Sequence, residues 1–289
     1  MSTALFIKNR IQALKQEYDC LKVKKDSLLK LIDEAEIPDS VYNSNAIENS
    51  TLTLKETEKI LLEMEVSSDV SLREVFEAKN LARVIEYITS KSEELTKQLI
   101  LLLHQMLLGN INDGIAGRFR KKDEYVRIGT YIAISPEHIE QKLEAALVEY
   151  SSDLDTYFAD KIAKLHLDFE VIHPFNDGNG RIGRVLINYQ LKKLGFPPII
   201  IRDKEKSKYY LAFKDYQNSK KTKIMEHILT LAIMESLHKR VAYLKGDTIV
   251  ELTEYARKRR KSVPSVLNAA KRQTIPAFRE KGVWKIGEK

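Results

Sequence analysis

The feature that most constrains the fold is the stretch HPFNDGNGRIGR, residues 173–184, because its proline and glycines separate two segments with helical periodicity. Before it, an apolar stripe recurs at helical spacing over 155–172. After it, RIGRVLINYQLKKLG is again helical as far as Gly195, a residue type that commonly ends helices. We therefore expect a helix–loop–helix unit whose loop opens directly into the N-terminus of the second helix.

Most of the remaining chain shows the same periodicity. Apolar residues make up 43% and charged residues 31% of the 289 residues, and glycine and proline are scarce, which is typical of a mostly helical soluble protein. IPDS (37–40) should break the first helix because proline removes a backbone donor, and TLKE (53–56) has the capping-box spacing that starts a new one. The other predicted helices cover 4–36, 71–90, 92–108, 136–150, 207–218 and 223–245.

One segment departs from this helical pattern. Residues 114–136 have Gly and Pro at their ends and β-favouring Tyr, Val and Ile between them, which predicts a β-hairpin or an extended flap. The predicted fold class is therefore an all-α core with a β-hairpin flap.

Cellular location is constrained by three features. The single cysteine, Cys20, excludes an internal disulfide framework. The first eight residues carry charge and precede no apolar core with a cleavage site, and no apolar run approaches the length of a membrane span. We expect a cytoplasmic protein that does not enter a membrane.

The twelve-residue loop combines groups that suit one kind of ligand. Gly178 and Gly180 let a ligand approach the main chain, and the helix N-terminus after them favours an anion. Arg181 and Arg184 lie one turn apart and suit phosphate oxygens, while Asp177 is a hard ligand for Mg²⁺. Asn179 adds a side-chain donor, and a neutral His173 can take a proton. DGNG alone is often only a tight turn, but the combination favours a nucleotide-phosphate site.

The same residues resemble a known family. HPFNDGNGRIGR matches every defined position of the Fic-domain signature H-P-F-x-[D/E]-G-N-G-R-x-x-R. LHLDFEVIHPF, VRIGTYIAISPEHI and SKYYLAFKDYQN are similar to the preceding helix, the flap and the base-lining segment of that family. The resemblance covers roughly residues 40–240 and is highly specific.

The resemblance implies transfer of AMP from ATP, with Mg²⁺, to a Ser, Thr or Tyr hydroxyl of a protein. His173 would be the general base and Asp177 the metal ligand. Arg181 would contact the distal phosphates and Arg184 the γ-phosphate. One relative without the glycines phosphorylates its target, so the intact GNGR favours nucleotidyl transfer. The implied nucleotide-binding residues are Asp177, Gly178, Asn179, Gly180, Arg181, Ile182, Gly183, Arg184, Tyr209, Tyr210 and Gln217.

In the family the flap receives the target as an added strand, a peptide-docking mode that uses main-chain hydrogen bonds. This implies that the target is recognised at the tip of the flap, and only weakly by its sequence. The corresponding residues here are Ile128, Gly129, Thr130 and Tyr131.

A second motif lies near the N-terminus. SNAIEN places Ser44 and Glu48 four residues apart, on one face of a helix, which by itself is an ordinary polar surface. It also resembles the family's inhibitory motif [S/T]-x-x-x-E-[G/N]. The resemblance implies that Glu48 pairs with Arg184, displaces the γ-phosphate and keeps basal activity low. In some relatives the same glutamate helps to remove AMP.

The last segment differs in charge from the rest. Residues 246–289 hold 11 Lys and Arg against 5 Asp and Glu, whereas the other residues hold 37 against 36. Two short helices and an alternating hairpin are predicted there, an arrangement similar to excisionase-like winged-helix domains that bind DNA. Phosphate contacts would come from Arg257 to Lys261 and from Lys271 and Arg272. A basic docking domain or a protein-binding winged helix fits equally well.

The sequence therefore predicts three regions: an N-terminal helical region (1–95) with an inhibitory helix near 40–49, a Fic core (96–246) and a winged-helix-like module (247–289). The main hypothesis is an autoinhibited protein adenylyltransferase whose target is another protein or the chain itself. The alternatives are a de-AMPylase, a transferase of another nucleotide such as UTP, and a DNA-binding regulator with a nucleotide-sensing core. The long N-terminal helix suggests a homo-oligomer.

Overall fold

A computed structural model describes residues 3–128 and 131–289, and most of them are helical. The helices are α1 (Leu5–Leu21), α2 (Asp26–Ile47), α3 (Leu54–Glu58), α4 (Leu72–Ser90), α5 (Lys97–Leu108), α6 (Ile139–Ser152), α7 (Phe158–Ile172), α8 (Asn179–Lys193), α9 (Lys206–Ser219), α10 (Lys223–Lys245), α11 (Leu252–Lys258) and α12 (Val263–Lys271). The strands are β1 (Arg127–Ile128), β2 (Tyr131–Ile132), β3 (Thr248–Glu251), β4 (Ala277–Glu280) and β5 (Val283–Glu288). The predicted all-α class with a β-hairpin flap is confirmed.

Helix α7 is buried on two sides, and this fixes the position of the residues that follow it. Leu165 and Phe169 pack into an apolar cluster shared with α4, α5, α6 and α8. Ile162 and Leu167 pack into a second cluster shared with α1, α9 and α10. Because interiors are packed as densely as organic crystals, a helix held on both sides has little freedom to shift. His173, directly after α7, therefore stands on a rigid support.

The predicted boundary of the first helix is wrong. The break falls at 22–25, where Lys24 has a φ of 61°, and α2 continues through Pro38. Three lysines within this break repel one another, whereas the half of α2 after Pro38 is held by burial, with Val41 and Ile47 fully buried. These tertiary contacts outweigh the donor that proline removes.

The capping box at the start of α3 is confirmed. The Thr53 side chain accepts a hydrogen bond from the Glu56 N–H, and the Glu56 carboxylate accepts one from the Thr53 N–H. The chain then continues as one π-helical stretch, Lys59–Glu63. The segment after Ile47 is thereby anchored next to the predicted inhibitory motif.

The C-terminal segment forms a small module with its own apolar core. Its antiparallel sheet has the order β3-β5-β4, and α11 and α12 pack against it, as in a winged helix. The pattern of VELTEYARKRR (250–260) predicts one helix, but its first two residues, Val250 and Glu251, belong to β3. Val250 pairs with Ile286 of β5, and the side chains of Val250 and Ile286 are buried. The boundaries between the three predicted regions stay predictions.

Buried ion pairs join α2 to the segment between α8 and α9, to α10 and, through α10, to β4 of the module. Arg202 Nη1 lies 2.6 Å from Asp39 Oδ2, with both side chains at most 7% exposed. Lys239 bridges Glu36 of α2, at 3.0 Å, and Glu280 of β4, at 3.1 Å. The helix that carries the predicted inhibitory motif is thus held by charge as well as by apolar contacts.

We expect Asp39→Ala to lower the free energy of unfolding by about 3 kcal/mol, because the buried Arg202 guanidinium loses its 2.6 Å partner and is left with the longer, 3.6 Å contact with Glu235. Urea unfolding followed by circular dichroism would measure this loss. The matched control is Glu34→Ala on the same helix, whose ion pair with Lys30 is exposed and 3.7 Å long and should contribute little. Equal losses in the two variants would contradict the account.

Candidate active site

The loop between α7 and α8 is shaped by two residues with positive φ. His173 ends α7 with a φ of 49°, and Gly178 precedes α8 with a φ of 81°. A Cβ atom at Gly178 would lie 3.0 Å from both the Leu107 and the Leu108 Cδ2 atoms. Glycine is therefore required at 178 for backbone conformation and for space.

The side chain of Asn179 closes this loop. Its Oδ1 accepts a hydrogen bond of 2.9 Å from the Phe175 N–H, and its Nδ2 donates one of 2.8 Å to the Phe175 carbonyl. The side chain is buried, so the donor that we expected to face an anion holds the loop together instead. The free N–H groups at the start of α8 still open toward the loop.

His104 of α5 supports the loop through a ring stack and a hydrogen bond, a role that the sequence did not predict. Its ring stacks on Phe175 with centroids 3.7 Å apart. Nδ1 accepts a hydrogen bond from the Gly117 N–H, so Nε2 carries the proton and donates to the Asp177 carbonyl at 3.1 Å. Burial lowers the pKa of His104 to about 4, which keeps the ring neutral. No local pattern links residues 104 and 177.

Arg120 is a second missed support. Its Nε donates to the His173 carbonyl at 2.9 Å, and Nη2 donates to the Ile134 carbonyl at 2.8 Å, which ties the loop to the end of the flap. Burial, with a contribution from the Arg120 charge, lowers the pKa of His173 to about 4. His173 is therefore neutral near pH 7 and can accept a proton.

Asp177 lies between two guanidinium groups. Its Oδ2 is 2.6 Å from Arg73 Nη2, and its Oδ1 is 3.1 Å from Arg181 Nη2 and accepts from the Gly178 N–H. Burial opposes ionisation, but Arg181, Arg73 and the Gly178 N–H outweigh it and keep the pKa of Asp177 below its ordinary value. The site thus holds a carboxylate, and the sequence analysis did not predict Arg73.

Arg181 and Arg184 do not share one pocket. Arg181 Nη1 pairs with Glu77 of α4 at 3.2 Å, whereas Arg184 points toward α2 and α9. Arg184 Nε donates to the Ser44 hydroxyl at 2.9 Å, and Nη2 donates to the Ser44 carbonyl at 2.7 Å. Nη2 also lies 2.9 Å from Glu48 Oε1. The two arginines therefore belong to separate ion-pair groups.

Glu48 sits at the C-terminal cap of α2, and its carboxylate lies over the start of α8. A Cβ atom at Gly180 would collide with Glu48 Oε1 and lie 3.1 Å from Arg184 Nη1. Glycine at 180 thus leaves the space in which the Glu48–Arg184 pair forms. Ser44 and Glu48 both contact Arg184.

Ile182 and Gly183 were expected to line the nucleotide but face the core. Ile182 is fully buried among apolar side chains. A Cβ atom at Gly183 would lie 2.7 Å from Glu170 Oε1 and 2.8 Å from His166 Cε1. Ile182 lies on the side of α8 away from Gly180, whereas Gly183 faces His166 and Glu170 of α7.

The two tyrosines of α9 that were expected to border the base, Tyr209 and Tyr210, differ in exposure. Tyr209 is 1% exposed, and its hydroxyl lies 2.8 Å from His166 Nε2 and 3.4 Å from Arg184 Nη1, so its ring is closed off from a base. Tyr210 is 42% exposed and donates to the Ile47 carbonyl at 3.0 Å. Gln217 is half-buried, two turns further along α9. His166 is buried within α7.

The flap is a short antiparallel hairpin. Arg127 pairs with Ile132, and Ile128 pairs with Tyr131. The other two predicted flap residues, Gly129 and Thr130, lie outside the described residues. Burial and the nearby Glu170 raise the pKa of Tyr131 to about 12, which places the flap beside α7.

Buried histidines make the stability of the chain sensitive to acid. Burial is the main cause that lowers the pKa to about 4 for His104, His173 and His238 and to about 3 for His166. Below pH 6.5 the unfolded chain binds protons that the folded chain excludes, so stability falls with pH until about pH 4. Glu170, whose raised pKa is about 8, acts in the opposite direction between pH 4.5 and 8.

We expect the free energy of unfolding to fall by several kcal/mol from pH 6.5 to pH 5, because each such histidine contributes up to about 1.4 kcal/mol per pH unit. Urea unfolding at pH 7, 6 and 5 would measure this. His238 pairs with Gln273, far from the loop. With His238→Gln, the free energy of unfolding should fall less steeply as the pH is lowered. An unfolding free energy that is constant down to pH 5 would rule out these neutral histidines.

Within the described residues, no helix is both long enough and apolar enough to cross a bilayer.

Comparison with known proteins gives consistent matches. Residues 94–191 match the family model described as "Fic/DOC family". The chain is 33% identical over 178 residues to protein adenylyltransferase fic-1 of Caenorhabditis elegans, covering 59% of this chain and 34% of that protein. It is 35% identical over 178 residues to protein adenylyltransferase Fic of Nematostella vectensis, covering 59% and 41%. The chain thus spans about two fifths or less of the length of these curated relatives.

Solved structures show the same fold. A Fic-domain signaling protein from Bacteroides thetaiotaomicron superposes with a TM-score of 0.75 at 26% identity, covering 82% of this chain and 97% of that one. A Fic family protein from Desulfovibrio desulfuricans superposes with a TM-score of 0.68 at 18% identity, covering 100% and 97%. The second likeness extends the shared fold to the C-terminal module.

Proposed function

We infer that this chain, whose residues 94–191 form a domain of the Fic/DOC family, transfers AMP from ATP to a hydroxyl group of a protein. The observation that carries the proposal is the loop itself. A neutral histidine, an ionised aspartate and the open N-terminus of α8 lie within a few residues of one another on a buried support. The names of the curated relatives support the same activity.

In the proposed reaction the target oxygen attacks the α-phosphorus of ATP. A bond forms between this oxygen and phosphorus, the bond from phosphorus to the β-phosphate oxygen breaks, and pyrophosphate leaves. His173 takes the hydroxyl proton, which it can do because it is neutral at pH 7. The N–H groups at the start of α8, around Gly178 and Gly180, would hold phosphate oxygens.

Mg²⁺ is part of this proposal. Mg²⁺ commonly takes one or two protein carboxylates and completes its shell with phosphates and water, and it would neutralise phosphate charge. Asp177 offers one ionised carboxylate next to the phosphate-binding turn. No group of three metal-ligating side chains occurs among the described residues. A metal on Asp177 would compete with Arg73 and Arg181 for the same oxygens.

On the adenine side, the exposed Tyr210 fits the proposal better than the buried Tyr209. Tyr209 would act through Arg184, whose guanidinium lies 5.7 Å from its ring centroid. On the target side, the flap would pair with a protein strand through Ile128 and Tyr131. The target is another protein or the chain itself.

The proposal includes autoinhibition. Glu48 pairs with Arg184 at 2.9 Å, and this carboxylate occupies the side of the turn where the γ-phosphate would bind. Ser44 holds the same guanidinium through two further hydrogen bonds. ATP would then bind with its phosphates displaced, and a displacement of even 1 Å can cost about a hundredfold in rate.

The experiment that tests the function is incorporation of label from α-³²P-ATP with Mg²⁺ into the purified chain and into a lysate. Wild type, Glu48→Gly and Glu48→Gly/His173→Ala are compared, and equimolar α-labelled UTP tests the other-nucleotide alternative. Label that appears with Glu48→Gly and disappears in the double variant supports AMP transfer. ATP binding without label in any lane would favour a nucleotide-sensing regulator.

A second candidate function is removal of AMP, and the position of Glu48 beside Gly180 favours it. From there the carboxylate could orient a water molecule toward a modified residue. Labelled target from the Glu48→Gly reaction, incubated with wild type, separates the two activities. Loss of label that depends on Glu48 would identify a de-AMPylase.

DNA binding by the C-terminal module is a separate proposal. The side chains of Arg257, Arg260 and Lys261 are exposed at the end of α11, and Lys271 and Arg272 are exposed at the end of α12. Fluorescence anisotropy with a random duplex would detect an affinity that falls steeply with salt. Binding that survives Arg257→Ala/Arg260→Ala/Lys261→Ala would contradict this surface.

Self-association is proposed through α1, whose Leu5 and Phe6 are 73% and 63% exposed next to each other. Light scattering of wild type and Phe6→Ser would test it.

A further inference from the structure

Glu170 is a buried carboxyl group beside the proposed base. It lies on α7, one turn before His173, and is 7% exposed. Its Oε2 is 3.9 Å from His173 Nδ1. Among the described residues, Glu170 Oε1 and His173 Nδ1 have no hydrogen-bond partner of ordinary geometry, although the Glu170 main-chain carbonyl is close enough to the ring to raise the His173 pKa. Buried polar atoms are nearly always paired, so two such atoms next to each other need an explanation.

The fold leaves space for this carboxyl group. Glycine at 183 is the position of α8 closest to it, since a Cβ atom there would lie 2.7 Å from Glu170 Oε1. Any side chain at 183 would push the carboxyl group away from α8. Helix packing alone would be satisfied by an apolar residue at 170, so the buried acid is not explained by packing.

Charged and titratable groups face Glu170 from every side. They are His166 and His173 of α7, Arg184 of α8, Glu48 at the end of α2, Tyr131 of the flap, and Tyr209 and Tyr210 of α9. Burial and then the Glu48 charge raise the pKa of Glu170 to about 8, while Arg184 lowers it. With Glu48 in place, Glu170 is therefore mostly protonated at pH 7. Removal of Glu48 takes away the second of the two causes that raise this pKa, while burial and the opposing charge of Arg184 remain.

We propose that Glu170 is a positioning residue that orients His173 through Nδ1 and balances the charge of its imidazolium when Nε2 takes the target's proton. A carboxylate facing Nδ1 keeps the proton on Nδ1 and leaves the Nε2 lone pair free for the hydroxyl. A carboxylic acid facing Nδ1 favours the opposite tautomer, which cannot act as a base. The distance of 3.9 Å is longer than a hydrogen bond, but such contacts often tighten when substrate binds.

This inference rests on the proposed AMP transfer and extends the role of Glu48. Besides pairing with Arg184, Glu48 adds its charge to burial in raising the pKa of Glu170. One carboxylate would thus weaken both the phosphate site and the base.

The test uses the full chain in the Glu48→Gly background, with Glu170→Gln, Glu170→Asp and the control Glu149→Gln on the exposed face of α6. At pH 7.5 we expect Glu170→Gln to lower kcat for label transfer about tenfold or more, with KM for ATP changed less than twofold. The parent rate should rise with pH as Glu170 ionises, and this rise should disappear in Glu170→Gln but remain in Glu170→Asp. The control should match the parent.

A second readout does not need activity. In ¹⁵N-histidine NMR, the His173 pKa should be lower in Glu170→Gln than in the parent by about one unit, a tenfold change in proton affinity. An unchanged His173 pKa, or an unchanged pH–rate profile in Glu170→Gln, would overturn the proposal. If the Glu48→Gly parent were inactive but Glu170→Gln still lowered the His173 pKa, the proposed transfer activity would be refuted. The contact between Glu170 and His173 would then still be supported.

Discussion

Replacing Glu48 by glycine is expected to raise the rate of AMP transfer by about a hundredfold, because the variant frees Arg184 for the γ-phosphate and lets the α-phosphate reach the target in line. The ion pair removed is 2.9 Å long, and the Arg184 guanidinium is almost completely buried. The initial rate of α-³²P incorporation at saturating ATP measures the effect. ATP affinity should change much less than the rate, since the inhibited site still admits nucleotide.

The matched variant for this prediction is Glu48→Gln, which keeps the volume and removes the charge. It should give an intermediate rate, because a neutral amide pairs more weakly with a guanidinium. Ser44→Ala removes only one of the hydrogen bonds to Arg184 and should have a small effect. A wild type as active as Glu48→Gly would contradict autoinhibition while leaving transfer intact.

The second large effect is expected from His173→Ala in the Glu48→Gly background. Loss of the group proposed to take the hydroxyl proton should lower the rate by about 10²–10⁴-fold. Arg120 and the loop backbone do not depend on the imidazole, so the variant should fold and bind ATP. Label incorporation and ATP binding by calorimetry are measured on the same sample.

His138→Ala is the control for this variant, since His138 is exposed at the start of α6 and lies outside the loop. Its rate should equal that of the parent. If His173→Ala kept the parent rate, the proton acceptor would have to be another group, and the roles proposed for both His173 and Glu170 would fail.

The loop could be predicted from sequence because its information is local. Residues 173–184 are contiguous, glycine and proline set the boundaries of α7 and α8, and spacing along the chain fixes which groups are neighbours. The contact of Ser44 and Glu48 with Arg184 could be predicted only through the family resemblance, because 136 residues separate Glu48 from Arg184 and no periodicity connects them.

The supports of the loop could not be predicted. Arg73, His104 and Arg120 come from α4, α5 and the segment before the flap, and they reach the loop only through packing of the helices. The same limit explains two errors. Tyr209 is closed off by α7 and α8, and Pro38 lies inside α2 because distant contacts such as Asp39–Arg202 hold that helix. These long-range contacts are not encoded in the local helix propensities of the residues.

The measurement that tests the central claim most directly is a pair of parallel incubations of Glu48→Gly, one with α-³²P-ATP and one with γ-³²P-ATP. The account predicts label on protein only from the α-phosphate, with the γ-label recovered in pyrophosphate. Retention of the γ-label would show phosphoryl transfer, and absence of both labels while ATP binds would show that the site does not transfer AMP.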